Sequence, residues 1–281
     1  MSVGLTVTEA KSGTLRSWVK RTFGAEGIVE TKCDVGHAIA GVWRPGLYFD
    51  DEVSQGLAVT PFDLRLAEQV LLLLVQRLDE LLHFVEPSAT SLNVYSHKAR
   101  ELLILSCTEI ENQWASYLKM AGIPAPTRGF TTNDYVRLVS PLRLGEYEVA
   151  LPRYASVAPV RPFHGWLAAQ PTKSLGWYDA YNKTKHDRSS HFASATISNC
   201  ICAVAANLAL FATRFGPFRL FNGAGTLPAY VNQLFSMTLI NCEPDTFYAP
   251  KVLLPPNQRH DLICFNSRDL VQLWTVDSLV L

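Results

Sequence analysis

No sign of charge predominates in this chain: 25 Lys and Arg balance 25 Asp and Glu. A general nucleic-acid binder carries a basic excess, so only a local basic site is left open here. Charged residues are 18% of the total against 48% hydrophobic, which excludes a disordered chain and implies a sizeable core. The six cysteines, Cys33, Cys107, Cys200, Cys202, Cys242 and Cys264, form no CxxC pair and no His/Cys ladder with zinc spacing. Cys107, Cys200 and Cys202 fall inside apolar helical runs, where a free thiol behaves as a small hydrophobe, and a reducing, cytoplasmic setting is expected. The start, "MSVGLTVTEAKSG", lacks the basic-then-apolar pattern of a signal peptide. The longest unbroken apolar runs, Val70 to Val75 and Cys200 to Ala206, are too short to span a bilayer, so no membrane partner is expected. There is no GxxxxGK[ST], no GxGxxG and no GxSxG elbow around Ser106, which leaves the common nucleotide-binding folds and the serine hydrolases without support.

What is present reads as mainly α. The 281 residues suit one large domain or two small ones. Residues 1–59 form a mixed, irregular N-terminal arm, in which "TLRSWVKRTFG" reads as a short helix and "HAIAGVWRPGLYF" as extended pieces. Residues 60–216 read as a helical domain. "TPFD" at Thr60 to Asp63 is its start signal, with Thr60 as cap, Pro61 at the first helical position and Asp63 closing a capping box. A second helix starts near Ser96, stops at Gly122, and carries Leu103, Cys107, Ile110, Trp114 and Leu118 as its apolar stripe. Its near-continuous apolar start predicts a central helix, and the long second and fourth helices are expected to pack antiparallel to their neighbours. After a loop-rich stretch come "SLGWYDAYNKTKHDR" (Ser174 to Arg188) and a fourth helix, "SHFASATISNCICAVAANLALFATRFG", ending at Gly216 before Pro217. Residues 217–281 read as a small β-containing extension, with strands in "LINCE", "DLICF" and "VQLWTV".

The third helical stretch is the polar one. At 100° per residue, Asp179, Asn182, Lys183 and His186 share one face. Trp177, Ala180, Tyr181 and Thr184 face the core, with Tyr178 and Lys185 at one border. Two readings stand. In one, Asp179 and Lys183 are an ordinary i,i+4 pair on a solvated face that happens to hold His186. In the other, Asn182 and His186 point into one volume beside Lys185, with Arg188 joining if the helix bends or ends near Ser189. Histidine moves protons at neutral pH and cations stabilise charge growing on phosphorus, so this set suits metal-free phosphodiester chemistry.

"WYDAYNKTKHDR" ahead of a small-residue-rich helix, following "ARELLILSCTEIENQW" on an earlier one, resembles the HEPN superfamily of four-helix proteins. The resemblance covers roughly 60–216. It implies a HEPN-like four-helix bundle core, and either a metal-independent ribonuclease of toxin–antitoxin or phage-defence type or a noncatalytic relative that binds RNA or nucleotides. Active members carry an Arg, then four to six residues, then a His, use the RNA 2′-hydroxyl as nucleophile, and join two copies in a homodimer. His186 matches that His and Asn182 has a counterpart in many members, but Asp179, Ala180 and Tyr181 stand where the Arg belongs.

The implied catalytic set is His186, Asn182 and Lys185, with Lys183 and Arg188 on phosphate and Glu109, Asn112 and Tyr178 in support. Glu109 would orient His186 or pair Lys185, or else face solvent at the bundle edge. RNA, a second copy of the chain and a cognate protein are the expected partners, with no cofactor and no metal. His186, Asp187 and His191 lack the one-face helical spacing of a metal site. The alternative is a noncatalytic interaction scaffold. A literal Arg-x5-His at Arg77 to His83 lies within an ordinary amphipathic helix, and Trp114, Trp166 and Trp177 read as core.

Overall fold

The computed structural model describes residues 14–48, 50–251 and 274–281. The expected strand "DLICF" and Cys264 lie outside them. The described chain is mainly helical with two small two-stranded sheets. In chain order the helices are α1 (Leu15–Phe23), α2 (Asp50–Gly56), α3 (Pro61–Phe84), α4 (His97–Met120), α5 (Thr132–Tyr135), α6 (Gly176–His186), α7 (Arg188–His191), α8 (Ile197–Phe215), α9 (Phe218–Phe221) and α10 (Thr226–Leu234). The strands are β1 (His37–Ile39), β2 (Tyr147–Ala150), β3 (Ser236–Leu239) and β4 (Thr275–Asp277).

The long helices begin where hydroxyl caps demand. Thr60 Oγ1 accepts from Asp63 N at 3.1 Å with Pro61 next, Ser96 Oγ accepts from Ala99 N at 3.0 Å, and Thr196 Oγ1 from Asn199 N at 3.3 Å. α8 therefore starts at Ile197, later than the sequence pattern suggests. The residues before it form α7 and a 3-10 turn, Phe192–Ser194, because Asp187 starts a separate helix.

α3, α4, α6 and α8 pack on one another, and α8 is the most enclosed. Cross-contacts fix the directions. Arg77 meets Glu101, and Lys98 meets Glu80, so α3 and α4 are antiparallel. Tyr178 meets Glu111, and Thr184 meets Arg100, so α6 and α4 are antiparallel. Cys200 bonds Ala99, Asn207 bonds Ser106, and Arg214 reaches Met120, so α4 and α8 run parallel.

Small residues let these two helices approach: Ala203, Ala206 and Ala209 are fully buried. The buried Asn207 stays satisfied, accepting from Gln113 Nε2 at 3.0 Å and donating to the Ser106 and Ala203 carbonyls. By length and mean hydropathy (1.4) α8 could cross a bilayer, which the unbroken apolar runs did not suggest. Most of it (78% of its most apolar window) is instead buried within the fold.

Packing continues past residue 216. Leu220, Leu227, Val231, Leu234 and Phe235 join the main core, so the extension opens with two helices, α9 and α10, that strand propensity missed. Of the expected extension strands, β3 only touches "LINCE" at Leu239 and β4 covers the end of "VQLWTV". β3 pairs antiparallel with β2, Tyr147 opposite Leu239, while β4 pairs in parallel with β1 of the arm, His37 opposite Thr275.

The arm and extension share a second core of Ala38, Trp43, Leu47, Val53, Leu57, Tyr248 and Trp274. A buried ion pair, Arg44 to Glu146 at 2.5 Å, with Arg44 also donating to Thr246 at 2.8 Å, ties arm, β2 and extension together.

Candidate functional site

α6 sorts its residues largely as its helical wheel predicts. Trp177, Ala180, Tyr181 and Thr184 are buried, Asn182 is half-buried, and Lys185 and His186 are exposed. Tyr178 departs from the border position: it is buried against Trp114 and turns its hydroxyl to α4. Trp114, Trp166 and Trp177 are all buried in the same aromatic cluster.

The residue that organises this face is Glu111. Its carboxylate accepts from Tyr178 Oη at 2.6 Å and from Tyr181 Oη at 3.2 Å, with Lys185 Nζ 3.9 Å away. Lys185 Nζ donates to Tyr181 Oη at 2.7 Å, and that bond is the main cause that raises its pKa. Burial, reinforced by the bond to Glu111, pushes the Tyr178 phenol far above its ordinary range. Lys185 thus has part of its donor capacity spent on Tyr181 of its own helix, with Glu111 of α4 facing it. Lys183 is likewise engaged, pairing with Asp179 at 2.5 Å across one turn.

Glu109 and Asn112, expected beside His186, are on a different side of α4. They line a cleft with Val70 of α3 and Arg214 of α8. Glu109 thus neither orients His186 nor pairs Lys185; Glu111, two residues on, takes the lysine. The signal for Glu111 was in the sequence, because Cys107, Glu111, Trp114 and Leu118 form one helical stripe. A carboxylate in an apolar stripe must meet donors. Arg100 extends that stripe N-terminally, and its guanidinium donates to the Thr184 carbonyl at 3.0 and 3.3 Å, closing the last turn of α6.

α6 ends at His186 because Asp187 turns the chain. Its carboxylate accepts from Ser190 N at 3.1 Å and Ser189 Oγ at 2.8 Å, capping α7. Those bonds, with Ser190 first, hold the carboxyl down at about 2. Asp187 is thereby occupied as the cap of α7.

The bend comes two residues before Ser189 and carries Arg188 over the Phe192 ring, 5.9 Å from its centroid. His97 packs on the same ring at 4.7 Å, and Tyr95 meets it edge-on at 5.5 Å. Tyr95, His97 and Arg188 are all exposed. This group of rings and one guanidinium, assembled from two distant chain segments, had no linear signature. α6 packs directly on the turn that holds Phe192, and His186 is its exposed last residue, just before the turn at Asp187.

The Arg77 to His83 spacing has separate engagements: Arg77 pairs with Glu101 at 3.7 Å, and His83 Nδ1 bonds its own helix at Asp79 O. The chain matches no family model, no curated protein and no solved structure.

Proposed function

We propose that this chain is a HEPN-like four-helix protein that binds RNA at the end of α6, through His186, Arg188 and the ring group beside them. One observation carries the reading: a guanidinium and an imidazole lie against the half-buried Phe192 ring, next to exposed Tyr95, at the point where α6 breaks. π-faces beside cations are what an unstacked nucleobase and its phosphate require, and such contacts work without a basic protein overall.

In the cleaving form of this reading, the RNA 2′-hydroxyl attacks phosphorus as His186 takes its proton, and a protonated imidazole returns one to the departing 5′-oxygen. Arg188 steadies the equatorial oxygens. Lys183 and Lys185 add little, since each already serves a carboxylate or a phenol. That engagement, with no arginine at 179–181, favours the noncatalytic form as second reading: RNA held or a partner recruited, in the cytoplasm and as a homodimer, without turnover. Incubating several RNA classes with the protein in EDTA, wild type beside His186→Ala, separates the two. Cleavage lost in the variant supports catalysis, binding without cleavage supports the second form, and neither binding nor cleavage rejects the proposal.

A further inference from the structure

Glu109 and Asn112 are left over by the α6 site, and what they line is a separate cavity of about 400 Å3 between α3, α4 and α8. That volume lies in the range of roughly 300–1,000 Å3 typical of small-molecule sites. Its apolar wall is Leu66, Ala67 and Val70 of α3 with Phe215 of α8, and a small inner pocket reaches on to Phe211 and the buried Asn207.

One end carries Arg214, and the exposed Asp63 of α3 lines the same cavity without an ion pair to it. The Arg214 guanidinium lies near the rings of Tyr117 and Phe215, 5.9 and 5.8 Å from their centroids. It donates to the Met120 thioether, a weak acceptor, and among the described residues no carboxylate pairs with it. Gly41 of the arm makes the room: it lies at φ +67°, and a Cβ there would come within 2.3 Å of Arg214 Nη1. A half-buried guanidinium that no carboxylate pairs can take a ligand's carboxylate.

The other end is acidic. Glu109 is eight residues before Tyr117 on the same helix, about 12 Å at 1.5 Å per residue. Burial raises its carboxyl above the usual range, with the neighbouring Asn112 and Gln113 amides lowering it in partial compensation. A positively charged or hydrogen-bond-donating group would complete that end.

We propose that this cavity is a binding site for an elongated organic acid, its carboxylate on Arg214, its apolar body along Leu66, Val70 and Phe215, and a donor or ammonium at its far end on Glu109. The site is separate from the α6 surface and does not depend on the RNA reading.

Three probes with one eight-carbon body test it by calorimetric titration of the full chain: octanoate, octylamine and 8-aminooctanoate. The two-ended probe should bind about tenfold tighter than either single-ended one. Arg214→Met should remove the octanoate heat and leave octylamine unchanged, Glu109→Gln should do the reverse, and Arg214→Lys should keep part of the carboxylate affinity. Matched thermal melts show that each variant is folded, and the ranking of the probes on the wild type needs no variant. No saturable heat from any probe at millimolar concentration would overturn the proposal. So would a two-ended probe no better than the others, or octanoate binding that survives Arg214→Met.

Discussion

Tyr178 on α6 donates its hydroxyl to Glu111 on α4 at 2.6 Å, and this bond fastens the polar helix to the core. Glu111 also receives Tyr181 and faces Lys185, so its removal leaves two phenol hydroxyls without their acceptor. Glu111→Ala should cost about 2–3 kcal/mol of unfolding free energy and Tyr178→Phe about 1 kcal/mol, read from urea midpoints at constant slope. Equal stability of Glu111→Ala and wild type would show the carboxylate to be a bystander.

Gly41 should tolerate no side chain. Alanine there meets both the left-handed backbone and the Arg214 guanidinium, so Gly41→Ala should lose about 2 kcal/mol. Gly24→Ala is a control: it shares the positive φ, but nothing lies within 4 Å of its Cβ, so it should lose less. Thermal melts of the pair check the difference, and equal losses would mean that backbone strain alone acts at Gly41.

Burial raises the Glu109 carboxyl above its ordinary 4.5, so the folded chain holds this proton more tightly than the unfolded chain. As pH climbs through 4.5 the unfolded chain ionises first, and the group lowers stability until the folded carboxyl ionises too. Glu109→Gln should therefore be more stable than wild type at pH 7 and no more stable at pH 4 or below, measured by urea unfolding at both. A gain of the same size at both pH values would contradict a buried ionisable origin.

Much of the helical frame was legible. Thr60, Ser96 and the stripe Leu103–Cys107–Ile110–Trp114–Leu118 gave α3 and α4, because caps and 3.6-residue periodicity are local signals. Four of the five buried residues of α6 followed from the same rule, Tyr178 being the exception. What failed was long-range. α9 and α10 were hidden because "FRLF" and "TLPAYVNQL" are too short for periodicity to show and take their apolar neighbours from the main core. The site suffered likewise: Glu109 and Glu111 are both polar residues on α4, and only the rotation of that helix against α6 decides which one Lys185 meets. The rings of Tyr95, His97 and Phe192 are brought together by the chain turning at Asp187, a turn that the sequence pattern placed near Ser189.

The central claim is that RNA is held at the break in α6. The most direct measurement is fluorescence anisotropy of a labelled single-stranded RNA, in EDTA, with wild type, Arg188→Ala, Phe192→Ala and Lys185→Ala. Loss of the guanidinium or the ring should weaken binding about tenfold, while loss of the already engaged lysine should change it by no more than about twofold. Binding that falls with Lys185→Ala and is indifferent to Arg188 and Phe192, or no RNA binding by the wild type, would contradict the account.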